Sequence, residues 1–167
     1  AQDLYGNKIV YNKDLYLLDV WATWCPPCQM TIPELIAVQQ KFASANFTVI
    51  GLSVDTEGPK TVKDFIEEQR VNYPVAMAGK SLNYLLAVRG IPTMFLVNRE
   101  GKIVGQFIGY TDHKALSETI AKELDYGQVV VQHVLYTYVC PELPLSGLRD
   151  SGLGTVHGRD GLLAHGT

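Results

Sequence analysis

The chain is poor in cysteine: Cys25, Cys28 and Cys140 are the three in its 167 residues, too few for a disulfide-stapled scaffold. It also lacks a surplus of positive charge. Fourteen lysines and arginines face seventeen acids, so no basic surface is available for phosphates and no nucleic-acid partner is expected. No apolar run approaches the roughly 18 to 20 residues that span a bilayer, so no membrane span is expected either. The opening residues show neither a charged n-region nor an apolar h-region, but a trimmed mature chain would look the same and compartment stays open. Four scattered histidines (His113, His133, His157, His165) and no second CxxC or HxxxH leave a zinc site two ligands short. Neither a metal nor a cofactor is expected.

What is present describes a globular protein: 47% hydrophobic and 19% charged residues, in a length suited to one domain with some to spare. Strands and helices alternate along the first three quarters. Leu15 to Trp21 and Phe47 to Val54 are apolar runs of strand length, the second apolar on both faces like a central parallel strand. Between them, Met30, Ile32, Leu35, Val38 and Phe42 predict the inward face of a helix over 29–42. Lys60 to Gln69 returns to helical spacing with Val62, Phe65 and Ile66 inward, Tyr73 to Val75 reads as a short strand, and Ser81 to Leu86 as a short helix. Strands at Met94 to Val97 and Lys102 to Ile108 flank a turn at Asn98 to Gly101, a hairpin signal. Asp112 can cap a last helix running to Leu124. The expectation is an α/β fold, a mixed sheet covered by helices on both faces.

Cys25 and Cys28 fall where a strand ends and a helix begins. The first N–H groups of a helix have no intrahelical partner and its dipole adds partial positive charge there, so a thiolate is favoured at the first cysteine. Three residues make about one helical turn, which brings the second sulfur within reach of the first. Pro26 suits the first helical position, where its missing N–H costs nothing. These features point to disulfide exchange in two steps: Cys25 attacks a substrate disulfide, then Cys28 attacks Cys25 and releases the product.

The segment Val20-Trp21-Ala22-Thr23-Trp24-Cys25-Pro26-Pro27-Cys28 resembles the active site of thioredoxins and their extracytoplasmic TlpA/ResA-like relatives, and Gly90-Ile91-Pro92-Thr93 resembles the family's second landmark. The similarity covers roughly residues 3–124. It implies a thioredoxin-like mixed β-sheet flanked by helices, and a thiol:disulfide oxidoreductase. By resemblance, Cys25 is the exposed nucleophile and Cys28 the buried resolving thiol. Pro92 is cis and leaves Ile91 free to offer backbone hydrogen bonds to substrate, while Trp24 and Pro26 belong to the docking surface. Asp19 stands where thioredoxins keep a buried acid; desolvation there raises a carboxyl pKa and lets it exchange a proton with Cys28. The acid that ResA-like proteins often carry after the second cysteine is replaced by Thr31, and Gly51 takes the place of a common lysine partner. Pro33 matches the family's kink proline, and Gly109 is placed to allow close approach of a substrate chain.

The long stretch from Asp55 to Val88 also resembles the TlpA/ResA-like branch, whose members commonly reduce protein disulfides outside the cytoplasm, including those of apocytochrome c. The resemblance therefore implies a protein disulfide substrate, a thiol electron donor and a periplasmic or otherwise extracytoplasmic location, with a cytoplasmic one as the alternative. Pro26-Pro27 supplies no charge to hold a thiolate and Asp19 disfavours a nearby anion, which leans towards a reductant. A disulfide oxidase or isomerase, and a copper-delivery module on the same fold, stand as alternatives. Peroxiredoxins need a threonine or serine where this chain has Ala22.

The domain is expected over 1–126. The extension, 127–167, reads as a strand at Val129 to Val139 followed by Gly- and Pro-rich chain. Pro141 to Pro144, Asp150 to Gly154 and His157-Gly158 resemble the end of aldehyde dehydrogenases, but no nicotinamide-binding domain accompanies them, so no activity is assigned there. Cys140 reads as an incidental thiol.

Overall fold

A computed structural model describes residues 1–79, 86 and 88–126. Five strands and three helices follow one another as β1 (Leu15–Trp21), α1 (Pro26–Lys41), β2 (Phe47–Ser53), α2 (Pro59–Glu68), β3 (Val75–Met77), β4 (Thr93–Asn98), β5 (Ile103–Ile108) and α3 (His113–Tyr126). The expected strand at Val129 to Val139, the whole extension 127–167 with Cys140, and most of the expected helix at 81–86 lie outside the described residues.

The strands form one mixed sheet in the order β3-β2-β1-β4-β5, with β1 and β2 parallel at its centre and β4 and β5 antiparallel beside them. β1 is buried along almost its whole length, which is why it reads as an apolar run broken only by Asp19. Its residues alternate between faces. Leu15, Leu17 and Trp21 join Phe47, Val49, Met94 and Leu96 in the main core, closed by Ile32, Leu35 and Val38 of α1, Val62 and Ile66 of α2, and Leu116 and Ile120 of α3. Each such fully buried side chain contributes about 1.5–3 kcal/mol. All three described helices therefore pack on one face. The opposite face carries a smaller cluster of Tyr16, Ile50 and Ala76 around Ile9 from the chain's start, with Leu18, Leu52 and Val97 at its edge.

Two sequence expectations shift. Met30, expected inward, is 59% exposed. α1 begins at Pro26, and its buried face is Cys28, Thr31, Ile32, Leu35 and Val38, so Met30 projects from the other side. Thr31 takes the inward place, its hydroxyl bonded to the Pro27 carbonyl at 2.9 Å. The short strand expected at Tyr73 forms at Val75–Met77 instead, because Pro74 has no N–H to give a ladder. The Pro74 carbonyl still accepts from Gly51 N–H at 2.9 Å.

The β4–β5 hairpin turns at Gly101, whose φ of 79° requires glycine, and Asn98 Oδ1 accepts the N–H groups of Glu100 and Lys102. Asp112 caps α3 by accepting from Ala115 N–H at 2.9 Å.

Candidate active site

The site lies at the carboxyl ends of β1 and β2, where β1 feeds into α1. Cys25 is the N-cap of α1 in an extended conformation, Pro26 opens the helix, and Cys25 and Cys28 are joined by a disulfide with Cα atoms 5.2 Å apart. The Cys28 N–H donates to Cys25 Sγ at 3.3 Å. A helix-start N–H without an intrahelical acceptor is thus aimed at the sulfur, which favours negative charge there once the disulfide is opened.

Burial corrects one detail. Cys25 was expected to be exposed, yet it is 4% exposed against 1% for Cys28. The bond to Cys28 draws its sulfur inward, and the Ile91 carbonyl oxygen stands 3.8 Å from it on the other side. The exposed neighbours are Trp24 at 63%, Pro26 and Pro27.

The Ile91–Pro92 peptide is cis, and Pro92 is buried next to the half-exposed Ile91. Among the described residues no backbone hydrogen bond claims the Ile91 N–H. The loop is tied on both sides of Ile91: Thr93 Oγ1 donates to the Gly90 carbonyl at 2.7 Å, and Gly109 N–H donates to the Pro92 carbonyl at 2.8 Å. Gly109 makes that bond with a φ of 79°, a conformation that favours glycine, although a side chain there would meet open space. The structure thus brings Trp24, Cys25, Cys28, Ile91 and Pro92 together, although the two segments are more than sixty residues apart.

Asp19 sits in β1 on the helix-covered face that also carries Leu17 and Trp21, 1% exposed, with Oδ1 lacking a hydrogen-bond partner among the described residues. Burial pushes its carboxyl up to about 7. Its strand partner Gly51 carries no side chain, and the room above Gly51 is taken by Trp21, Val75 and Tyr73. Burial, helped by the charge of Asp19, pushes the Tyr73 phenol well above its ordinary value.

A cluster that sequence reasoning missed holds the turn before Cys25. Asp55, just past β2, accepts from Thr23 N–H at 3.0 Å, from Thr23 Oγ1 and from Ser53 Oγ at 2.7 Å. Gln29 Nε2 donates to the Thr23 carbonyl at 2.6 Å. Its signal was present in Ser53-Val54-Asp55, polar residues two apart at the carboxyl end of an apolar parallel strand, where sites of α/β folds gather.

Among the described residues no group of three or more histidine, cysteine or acidic side chains could hold a metal ion, and no helix is long and apolar enough to cross a membrane.

A family model described as Redoxin matches residues 4–124. The chain belongs to the Redoxin family. Over 125 residues this Redoxin chain is 33% identical to the thiol-disulfide oxidoreductase ResA of Bacillus thuringiensis (strain Al Hakam), covering 72% of this chain and 71% of that protein. Over 118 residues it is 30% identical to the thiol:disulfide interchange protein DsbE of Haemophilus influenzae, covering 70% and 62%. Among solved structures it resembles a thioredoxin-family thiol:disulfide interchange protein from Chlorobium tepidum TLS, with a TM-score of 0.68, 28% identity and coverage of 74% and 91%. StoA from Bacillus subtilis is also similar, with a TM-score of 0.63, 26% identity and coverage of 70% and 91%. With the bonded cysteine pair at the head of α1, the relatives make this Redoxin protein a thiol–disulfide oxidoreductase on a thioredoxin-like fold.

Proposed function

We propose that the protein reduces protein disulfides, with Cys25 as nucleophile, Cys28 as resolving thiol and Asp19 as the proton acceptor of Cys28. The observation that carries this reading is the Cys28 N–H held on Cys25 Sγ at the start of α1. In the reduced protein the Cys25 thiolate attacks one sulfur of the substrate disulfide. A Cys25–substrate disulfide forms, and the other substrate sulfur leaves as a thiolate that water protonates. Cys28 then passes its proton to the Asp19 carboxylate and attacks Cys25 Sγ. The Cys25–Cys28 disulfide forms, and the substrate leaves with both sulfurs reduced. A thiol donor returns the two electrons, which are carried by the two sulfurs alone.

The direction rests on electrostatics. Pro26 and Pro27 place no cation beside Cys25, and the buried Asp19 disfavours an anion close to it. A thiolate held by helix-start N–H groups without a neighbouring cation among the described residues is less stabilised than in a strong oxidant, so the dithiol gives up its electrons readily. Trp24 and Pro26 supply apolar contact for the substrate, and the Ile91 backbone beside Cys25 supplies hydrogen bonds. The resemblance to the TlpA/ResA-like branch supports an extracytoplasmic setting, with an apocytochrome c as the first protein substrate to try.

Two measurements test the reading. Cys28→Ser should accumulate a mixed disulfide with a model protein substrate, seen as a mass adduct that Cys25→Ser abolishes. The reduction potential of the pair should fall near the reducing end of the family range, around −270 mV; a value around −120 mV would reverse the assignment to an oxidase.

A further inference from the structure

We propose that Asp55 is a positioning residue for Cys25, clamping the turn that presents the cysteine and opposing its ionisation with a nearby negative charge. This rests on the exchange reading above and extends it to a residue outside the CxxC segment.

The clamp is complete around Thr23. Its N–H and hydroxyl both donate to Asp55, and its carbonyl accepts from Gln29 of α1, so every polar group of the residue two before Cys25 is occupied. Asp55 is in turn fixed from its own side. Ser53 Oγ donates to Asp55 Oδ2 at 2.7 Å while Asp55 N–H donates back to Ser53 Oγ at 3.1 Å, a reciprocal pair at the end of β2. The neighbouring backbone follows the same path, with Val54 N–H on the Trp21 carbonyl at 2.9 Å. A buried carboxyl therefore ties the end of a central strand to the turn that sets where Cys25 sits. Asp55 is 6% exposed and Ser53 and Thr23 carry no charge, and none of the described cations pairs with it.

Among the described residues, four features bear on the charge around Cys25. α1 offers partial positive charge from its N–H groups, the Ile91–Pro92 loop offers a carbonyl, β1 contributes Asp19, and the end of β2 contributes Asp55. A unit charge bonded to the residue two before a thiol, in a poorly solvated cluster, changes that thiol's ionisation by about tenfold. Neutralising Asp55 while keeping its shape should therefore let Cys25 ionise more readily, and loosening the clamp without changing charge should slow attack alone.

The test uses the reduced protein with Asp55→Asn and, separately, Thr23→Val. Alkylation of Cys25 by iodoacetamide is followed against pH, together with the equilibrium constant against dithiothreitol and the rate of mixed-disulfide formation in a Cys28→Ser background. Asp55→Asn should lower the pH midpoint of alkylation by about one unit and make the pair about tenfold more oxidising, which a merely structural staple would not do. Thr23→Val should leave that midpoint in place and lower the rate of attack about tenfold. If Asp55→Asn alters only the melting temperature, with the midpoint and the equilibrium unmoved, the proposal is overturned. Should Asp55→Asn fail to fold, an unchanged attack rate in Thr23→Val overturns it instead. Failure of the exchange reading is a separate result: Cys25→Ser would then still react with the protein substrate.

Discussion

Gly51 stands directly across from Asp19 in the parallel register of β1 and β2, and a methyl group on it would come within 3.1 Å of the Trp21 indole nitrogen. The missing side chain is what lets Trp21, Tyr73 and Val75 close over the sheet beside the buried acid. A larger residue must push them aside. Gly51→Ala should cost about 1–3 kcal/mol, read as a lower urea midpoint with an unchanged m-value. A neutral or stabilising result would mean the layer above Gly51 is looser than it stands.

Asp19 makes stability depend on pH in a stated direction. Its pKa rises from the ordinary 3.8 to about 7 on folding. Between those values the folded state binds more protons than the unfolded one, so the stability this group contributes is complete below about pH 4 and is lost as pH rises through about 7. Urea denaturation of the oxidised protein should show the wild type losing a few kcal/mol across that window, while Asp19→Asn loses roughly none of it. Parallel curves for the two proteins would remove Asp19 as the source.

Glu34 joins the active-site helix to the start of α3. Its carboxylate accepts from the His113 backbone N–H at 2.7 Å, contacts His113 Nδ1 and accepts from Tyr110 Oη. The His113 backbone bond leads in holding the Glu34 carboxyl below its ordinary value, despite some opposing burial. The sign is opposite to that of Asp19: the contribution is present above the ordinary glutamate range and is lost as pH falls through the depressed value. Glu34→Gln should destabilise by about 1 kcal/mol at pH 7, and the loss should shrink as the wild-type carboxylate protonates at acid pH. An equal loss at acid pH would place its role in packing.

Trp24 is the largest exposed side chain next to the cysteines. Trp24→Ala should raise KM for a protein disulfide several-fold, about 1 kcal/mol of lost contact, and leave the reaction with a small disulfide unchanged. A matching loss on the small disulfide would place Trp24 in the chemistry instead.

Local order along the chain settled much of this protein. The apolar run Leu15 to Trp21 could only be an inner strand, and a cysteine pair one turn apart after it could only open a helix. Those inferences depend on backbone periodicity and on the orphan N–H groups of a helix start, which neighbours in sequence decide. Which side of α1 faced inward was harder to read, because Thr31 hides its hydroxyl on its own Pro27 carbonyl and passes for a buried residue. Other features needed distant segments to meet. The Ile91 carbonyl beside Cys25, Tyr73 over Gly51 and the grip of Asp55 on Thr23 each join residues at least 22 positions apart. A polar side chain shows its chemistry in sequence, but its burial and its partners exist only once the sheet has placed the ends of β1 and β2 side by side.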